Sequence, residues 1–197
     1  MRVLVACEYS GIVRDAFIKA GHFAMSCDLL PTESPGPHHE GDVKALLSLD
    51  TGPWDLMVAH PPCTYLAVSG ARWLTNPDGS RNLERVALRD EALDFVRFLM
   101  DAPIPRICIE NPLSMISGHI RKSDQMIHPY HFGEPVSKGT CLWLKNLPKL
   151  EHGEVVEAGP WPEFLLGPQD PDRKKKRSRF FVGIATAMAE QWGSLDD

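Results

Sequence analysis

Two short stretches carry residue types suited to covalent chemistry. His60-Pro61-Pro62-Cys63-Thr64-Tyr65 follows an apolar run, and its consecutive prolines fix the backbone so that the next side chain is presented rigidly. A cysteine mounted in this way reads as a nucleophile, because a thiolate is soft and forms transient covalent bonds. Cys27, Cys108 and Cys141 have no such mount and read as small core residues. Glu110-Asn111-Pro112 ends a second apolar run, Ile107-Cys108-Ile109. A partly desolvated carboxyl there is suited to donating a proton.

Other loops suggest a ligand. Cys7-Glu8-Tyr9-Ser10-Gly11 ends in a glycine, as a closely approached turn does, but it lacks the Gly-x-Gly-x-x-Gly fingerprint, which disfavours a dinucleotide. Asp28 could accept hydrogen bonds from the ribose hydroxyls of a nucleoside-containing cofactor, or serve as a turn or cap residue. Asp42 could accept from an adenine amino group, although capping the helix that follows is the simpler reading. Arg173-Lys174-Lys175-Lys176-Arg177-Ser178-Arg179 places six positive charges within seven residues. It reads as a phosphate-contacting patch or as a solvated loop.

The elements that must position these loops alternate between strand and helix. Arg2 to Ala6, His22 to Cys27, Asp55 to Ala59, Ile107 to Ile109 and Thr140 to Leu144 read as strands. Ile12 to Ala20, Val43 to Leu49, a long amphipathic stretch from Leu83 to Met100, and Val182 to Trp192 read as helices. Leu29 to Gly41 reads as a loop, and 147–172 as a proline-rich excursion without regular structure. The pattern predicts a doubly wound, mainly parallel α/β sheet, with ligands at the carboxyl ends of the strands where the loops at Cys7, Asp28, His60 and Glu110 emerge.

Composition bounds the rest. At 197 residues and 43% hydrophobic the chain suits a single globular domain over 1–197. It has no apolar run of about 18 residues, and Met1 leads straight into strand-like sequence, so a cytoplasmic protein with no membrane contact is expected. Five cysteines scattered singly suggest neither a disulfide scaffold nor a metal site. A net charge of -5 has the wrong sign for coating nucleic acid and confines any such contact to a patch.

In its motifs and their order the chain resembles DNA cytosine-5 methyltransferases, most closely the compact phage and prophage versions. Cys7 to Gly11, Asp28, Pro62-Cys63 and Glu110-Asn111 follow the family's order. Phe132-Gly133-Glu134-Pro135-Val136-Ser137-Lys138-Gly139-Thr140 is similar to its Gly-x-Pro-Gln-x-Arg-x-Arg segment, and Phe181-Val182-Gly183-Ile184-Ala185 to its closing motif. Val136, Lys138 and Thr140 stand where the family has a glutamine and two arginines, leaving Lys138 as a substitute point charge. The interval from Cys141 to Arg179 is shorter than an ordinary recognition domain of at least about 50 residues.

The resemblance implies a Rossmann-like class I methyltransferase fold that uses S-adenosylmethionine. Cys7, Glu8, Tyr9, Ser10, Gly11, Asp28, Asp42 and Pro61 would hold the cofactor, and Pro62, Cys63, Glu110 and Asn111 would form the catalytic centre. Lys138, Arg173, Lys174, Lys175, Lys176 and Arg177 would face nucleic acid, and Tyr65, Arg72 and Trp73 are candidates to stack on a flipped base. The expected substrate is DNA, then a free nucleotide, then RNA, with a homodimer or a recognition partner supplying specificity. The competing reading is a catalytically silent binder of S-adenosylmethionine or nucleic acid.

Overall fold

A computed structural model describes residues 1–49, 52–167 and 169–195. Its strands are β1 (Arg2–Ala6), β2 (Phe23–Asp28), β3 (His38–Glu40), β4 (Leu56–Ala59), β5 (Arg106–Pro112), β6 (Gln125–Ile127) and β7 (Thr140–Lys145). The helices are α1 (Ile12–Lys19), α2 (Val43–Ser48), α3 (Leu83–Met100), α4 (Ile116–His119), α5 (Arg173–Ser178) and α6 (Val182–Gly193). Among the described residues the strands form one sheet in the order β3-β2-β1-β4-β5-β7-β6. Only β7 is reversed, running antiparallel to both β5 and β6. This is the doubly wound, mainly parallel, Rossmann-like class expected from the sequence.

The strands read as unbroken apolar runs because both faces of the sheet are covered. Val3, Val5, Leu56 and Val58 pack with Phe17 of α1 and Ile184, Met188 and Trp192 of α6. The alternate residues Leu4, Ala6, Met57 and Ala59 pack with Leu46 of α2 and Leu93, Val96 and Leu99 of α3. Trp192 is fully buried, and its indole N–H donates to the Pro148 carbonyl at 3.0 Å. Trp192→Ala is expected to lower stability by about 3–5 kcal/mol through the cavity it leaves, read as a drop in the urea midpoint at an unchanged slope.

From β1 the chain winds outward to β2 and β3, then returns to place β4 on the other side of β1. The switch point therefore lies between β1 and β4, where the loops beginning at Cys7 and His60 leave the sheet, the place where ligands gather in such sheets. The backbone N–H of His60 donates to the Ala6 carbonyl at 2.9 Å, so the ladder continues to the start of the second loop.

Several segments differ from the sequence reading. Leu29 to Gly41, expected as a loop, contains the edge strand β3, whose His-His-Glu composition carries no apolar signal. The excursion over 147–172 includes a 3₁₀ turn at Pro162–Leu165. The basic run is helix α5 and not a loop. The strand before Glu110-Asn111 extends through both residues to Pro112, because β7 pairs with it along its whole length. No described helix is long and apolar enough to cross a membrane.

Candidate active site at the carboxyl edge of the sheet

Backbone pairing holds the Cys63 loop against the end of β5. Leu66 and Ala67 donate their amides to the Cys63 carbonyl at 3.0 and 2.9 Å, closing a tight turn, and the Leu66 side chain is fully buried beneath it. Val68 donates to Leu113, and Met115 donates to Leu66. The Asn111 amide, 1% exposed, donates to the Pro61 carbonyl at 2.8 Å. Asn111 and Pro61 thus join the two loops to each other; Pro61 is buried, while Pro62 and Cys63 are exposed.

Cys63 follows β4 and Glu110 stands one position past the Ala59–Ile109 pair on the adjacent β5, near enough for the charge of Glu110 to act on the thiol. The protein packed around the accessible Cys63 thiol pushes its pKa up, and the Glu110 carboxylate adds to the rise. The Lys138 ammonium opposes both, with a smaller opposing contribution from Arg177. Burial lowers the pKa of Lys138 itself, against the attraction of Glu110 and Cys63. Its Nζ lies 4.7 Å from the Trp161 ring and 5.2 Å from the Phe181 ring, and donates to the Arg177 carbonyl at 3.4 Å. Lys138 is thus held against Trp161 and Phe181, from where its charge acts on the thiol and the carboxyl. Thr140 is 1% exposed and pairs with Pro112, so it offers no charge there.

These opposed charges predict how the thiol reacts. Alkylation of Cys63 by iodoacetamide is expected to speed up as pH rises, with a midpoint above that of an ordinary thiol. Lys138→Met, which removes the favourable cation, moves the midpoint further up. Glu110→Gln, which removes the anion, moves it down. Mass spectrometry of the labelled Cys63 peptide across pH checks all three directions.

His60, given no role of its own by the sequence reading, is the partner of Glu110. Its Nδ1 lies 3.0 Å from Glu110 Oε2, and its ring packs against Phe180 at 4.8 Å between centroids. Its position at the end of an apolar strand, directly before Pro61, was the available signal. Among the described residues three buried side-chain nitrogen or oxygen atoms have no hydrogen-bond partner, and two of them, His60 Nε2 and Asn111 Oδ1, lie here.

The first loop is organised by its own side chains. Glu8, 4% exposed, accepts from the amides of Val13 at 2.7 Å and Arg14 at 3.2 Å and from the Ser10 hydroxyl at 3.1 Å. Glu8 and Ser10 therefore turn into the loop, and a carboxylate already fills the amide-lined N-terminus of α1 where a pyrophosphate would sit. Cys7 holds a left-handed φ of 59°, a conformation that persists only under local constraint, and burial followed by the charge of Asp28 pushes its thiol up. Gly11, with φ 78°, has no room for a Cβ beside the guanidinium of Arg14.

The Glu8 amide donates to the Cys27 carbonyl at 3.1 Å and the Gly41 amide to the Asp28 carbonyl at 2.8 Å, so the structure brings together the three loops at the ends of β1, β2 and β3, and the charges of Asp28 and Asp42 act on the Cys7 thiol. Asp42 Oδ1 accepts from the Lys44 amide at 2.8 Å, the capping role, and Asp28 Oδ1 accepts from the Leu30 amide at 3.0 Å, a turn role. Neither role uses both carboxylate oxygens. Arg14, wholly buried, fixes the intervening segment by donating to Ser26, Thr32 and the Ser34 carbonyl.

The basic run lies across this loop. The Tyr9 hydroxyl donates to the Lys175 carbonyl at 2.7 Å, and it is 2.9 Å from the Ser178 hydroxyl. Lys175 and Arg179 both pair with Glu33, and Lys176 pairs with Asp170. Arg173 donates to the Leu166 carbonyl, and Arg177 stacks over Trp161 at 5.1 Å. The side chain of Lys174 lies outside the described residues. Much of the charge expected to face nucleic acid is thus directed at the protein itself.

A cavity of about 220 Å³ lies under this segment, lined by residues including Ile12, Glu134, Trp161, Phe180 and Phe181. The two late motifs meet beside it: the Gly183 amide donates to Glu134 Oε1 at 2.7 Å, and a Cβ at Gly183 would collide with the Phe132 carbonyl.

No protein-family model matches the chain, and no curated protein matches it in sequence. Among solved structures it is similar to a prophage-encoded E. coli protein described as a DNA modification methyltransferase, at 12% identity and TM-score 0.49 over 80% of this chain and 52% of that one. It is also similar to the S. pombe Dnmt2 methyltransferase, at 18% identity and TM-score 0.46 over 76% of this chain and 51% of that one. The chain spans about half the length of the solved structures it matches.

Proposed function

We propose that the protein is an S-adenosylmethionine-dependent methyltransferase acting on carbon 5 of cytosine, with Cys63 as the nucleophile and Glu110 as the proton donor. The observation that carries this reading is the placing, at the neighbouring carboxyl ends of β4 and β5, of a rigidly mounted thiol and a carboxyl whose loops are joined by Asn111 and Pro61.

Cytosine carbon 5 is a poor nucleophile while the ring is aromatic. Addition of the Cys63 thiolate at carbon 6, with transfer of the Glu110 proton to ring nitrogen 3, breaks the aromaticity and places the electron pair at carbon 5. Lys138 stabilises the thiolate before attack. After methyl transfer to carbon 5, a solvent water takes the carbon-5 proton, its electron pair re-forms the double bond between carbons 5 and 6 as the bond from carbon 6 to sulfur breaks to release the Cys63 thiolate, and ring nitrogen 3 returns its proton to Glu110.

The residues present fit the cofactor. Asp28 and Asp42 each keep an oxygen for ribose hydroxyls or an amino group, and Glu8 occupies the place a phosphate would need. S-adenosylmethionine supplies an electrophilic methyl group on a sulfonium centre.

DNA is the first substrate of this reading. A free cytosine nucleotide is the second, favoured by the pairing of Lys175, Lys176 and Arg179 with carboxylates of the same chain, which leaves less charge for a phosphate backbone. Incubation with methyl-labelled S-adenosylmethionine and either duplex DNA or cytidine nucleotides, followed by base analysis, tests the proposal. The expected product is labelled 5-methylcytosine; label on another base, or on an exocyclic nitrogen, would overturn it.

A further inference from the structure

We infer that His60 is a positioning residue that selects which oxygen of Glu110 delivers the proton, an inference that rests on the cytosine-5 reading above. The His60 backbone is fixed on both sides, by its own hydrogen bond to Ala6 and by the bond from Asn111 to the Pro61 carbonyl. Its imidazole is fixed by Phe180 at 4.8 Å and by Glu110 Oε2 at 3.0 Å. Both side chains of the pair are nearly buried, His60 at 13% and Glu110 at 11% exposure.

The tautomer follows from the partners. His60 Nε2 is buried with no hydrogen-bond partner among the described residues, whereas Nδ1 faces a carboxyl oxygen. A neutral imidazole carries one proton, and an orphaned N–H is less tolerable than an orphaned acceptor, so the proton belongs on Nδ1. Nδ1–H then donates to Oε2, both in the carboxylate whose charge raises the Cys63 thiol and in the acid formed when Glu110 takes up a proton for the reaction, and this leaves Oε1 to carry the proton destined for the pyrimidine ring.

The consequence is both geometric and energetic. A glutamate carboxyl turns freely about its last torsion, and anchoring one oxygen presents the other in a single orientation. When the proton leaves Oε1 for ring nitrogen 3 the carboxyl becomes a carboxylate, and the bond from Nδ1–H becomes charge-assisted and stronger. His60 thus stabilises the state after proton transfer more than the state before it, which is the condition for accelerating the step.

The test uses three variants and one spectrum. His60→Ala is expected to lower kcat by roughly 10- to 100-fold, part of the ~10²–10⁴ carried by a general acid, with substrate KM little changed. His60→Asn places an amide N–H where Nδ1–H was and recovers most of the rate. His60→Gln places its amide at the Nε2 position and does not. Equal losses in His60→Asn and His60→Ala, or a loss confined to KM or to thermal stability, would overturn the inference.

Nitrogen-15 NMR of the wild-type protein reads the tautomer without any reaction. A proton on Nδ1, displaced to Nε2 in Glu110→Ala, supports the pairing, and a proton on Nε2 in the wild type overturns it. A wild-type protein that methylates neither DNA nor nucleotides would sink the cytosine-5 reading instead, while the spectrum still decides whether His60 orients Glu110.

Discussion

Cys63→Ser is expected to reduce methyl transfer by roughly 10⁴- to 10⁶-fold, the range seen when the covalent nucleophile of an enzyme is removed. A serine hydroxyl occupies nearly the same space but does not ionise near neutral pH, so geometry survives and reactivity does not. Cys63 is exposed and makes no side-chain hydrogen bond among the described residues, and the turn behind it is held by its backbone carbonyl. The substitution should therefore change stability by no more than about 0.5 kcal/mol and leave cofactor affinity intact. Calorimetric titration with S-adenosylmethionine beside the activity assay separates the two effects. Substantial residual activity in the serine variant would remove Cys63 from the chemistry.

Glu110→Gln is expected to lower methyl transfer by roughly 10²- to 10⁴-fold. The glutamine carbonyl still accepts from His60 Nδ1–H, so the side chain keeps its place, but the amide has no acidic proton to give. The same substitution removes the negative charge that helps push the Cys63 thiol up. Alkylation of Cys63 at a fixed pH near neutrality should thus accelerate while methyl transfer collapses. A purely structural role for Glu110 would not move the two rates in opposite directions, so measuring both on one preparation distinguishes the roles. The competing silent-binder reading predicts no methyl transfer in the wild type and hence no contrast between variants.

The fold was legible wherever local pattern and final environment agree. Val3-Leu4-Val5-Ala6 and Leu56-Met57-Val58-Ala59 are apolar without interruption and fully buried on both faces, so they announce central strands. The His38–Glu40 strand does not, since it lies at an edge and owes its form to backbone pairing with β2. Helix α5 was hidden for a different reason. Its lysines and arginines look like a solvated loop until Glu33, far earlier in the chain, comes into range of Lys175 and of Arg179 just past the helix. Arg14 is similar, a buried guanidinium whose acceptors arrive from a proline-rich segment that shows no regular pattern.

The candidate site was legible in its strongest parts. Cys63 and Glu110 were visible as chemically loaded residues at the ends of apolar runs, and the sheet order places those ends side by side. Sequence could not show which way the loop side chains turn. Glu8 and Ser10 cap their own helix, and Asn111 bridges two loops. Lys138 packs its ammonium over Trp161, and its charge acts on the thiol. His60 stood in plain view within the proline motif, but its role depends on Glu110, which only β4–β5 pairing brings to it.

The most direct measurement of the central claim is intact-protein mass spectrometry after incubation with S-adenosylmethionine and a substrate in which cytosine carries fluorine at carbon 5. Because fluorine cannot leave as a proton does, the account predicts that the protein gains the mass of substrate plus methyl, bound through the Cys63 peptide and absent in Cys63→Ser. An unmodified protein that nevertheless methylates ordinary cytosine, or an adduct carried by another residue, would contradict it.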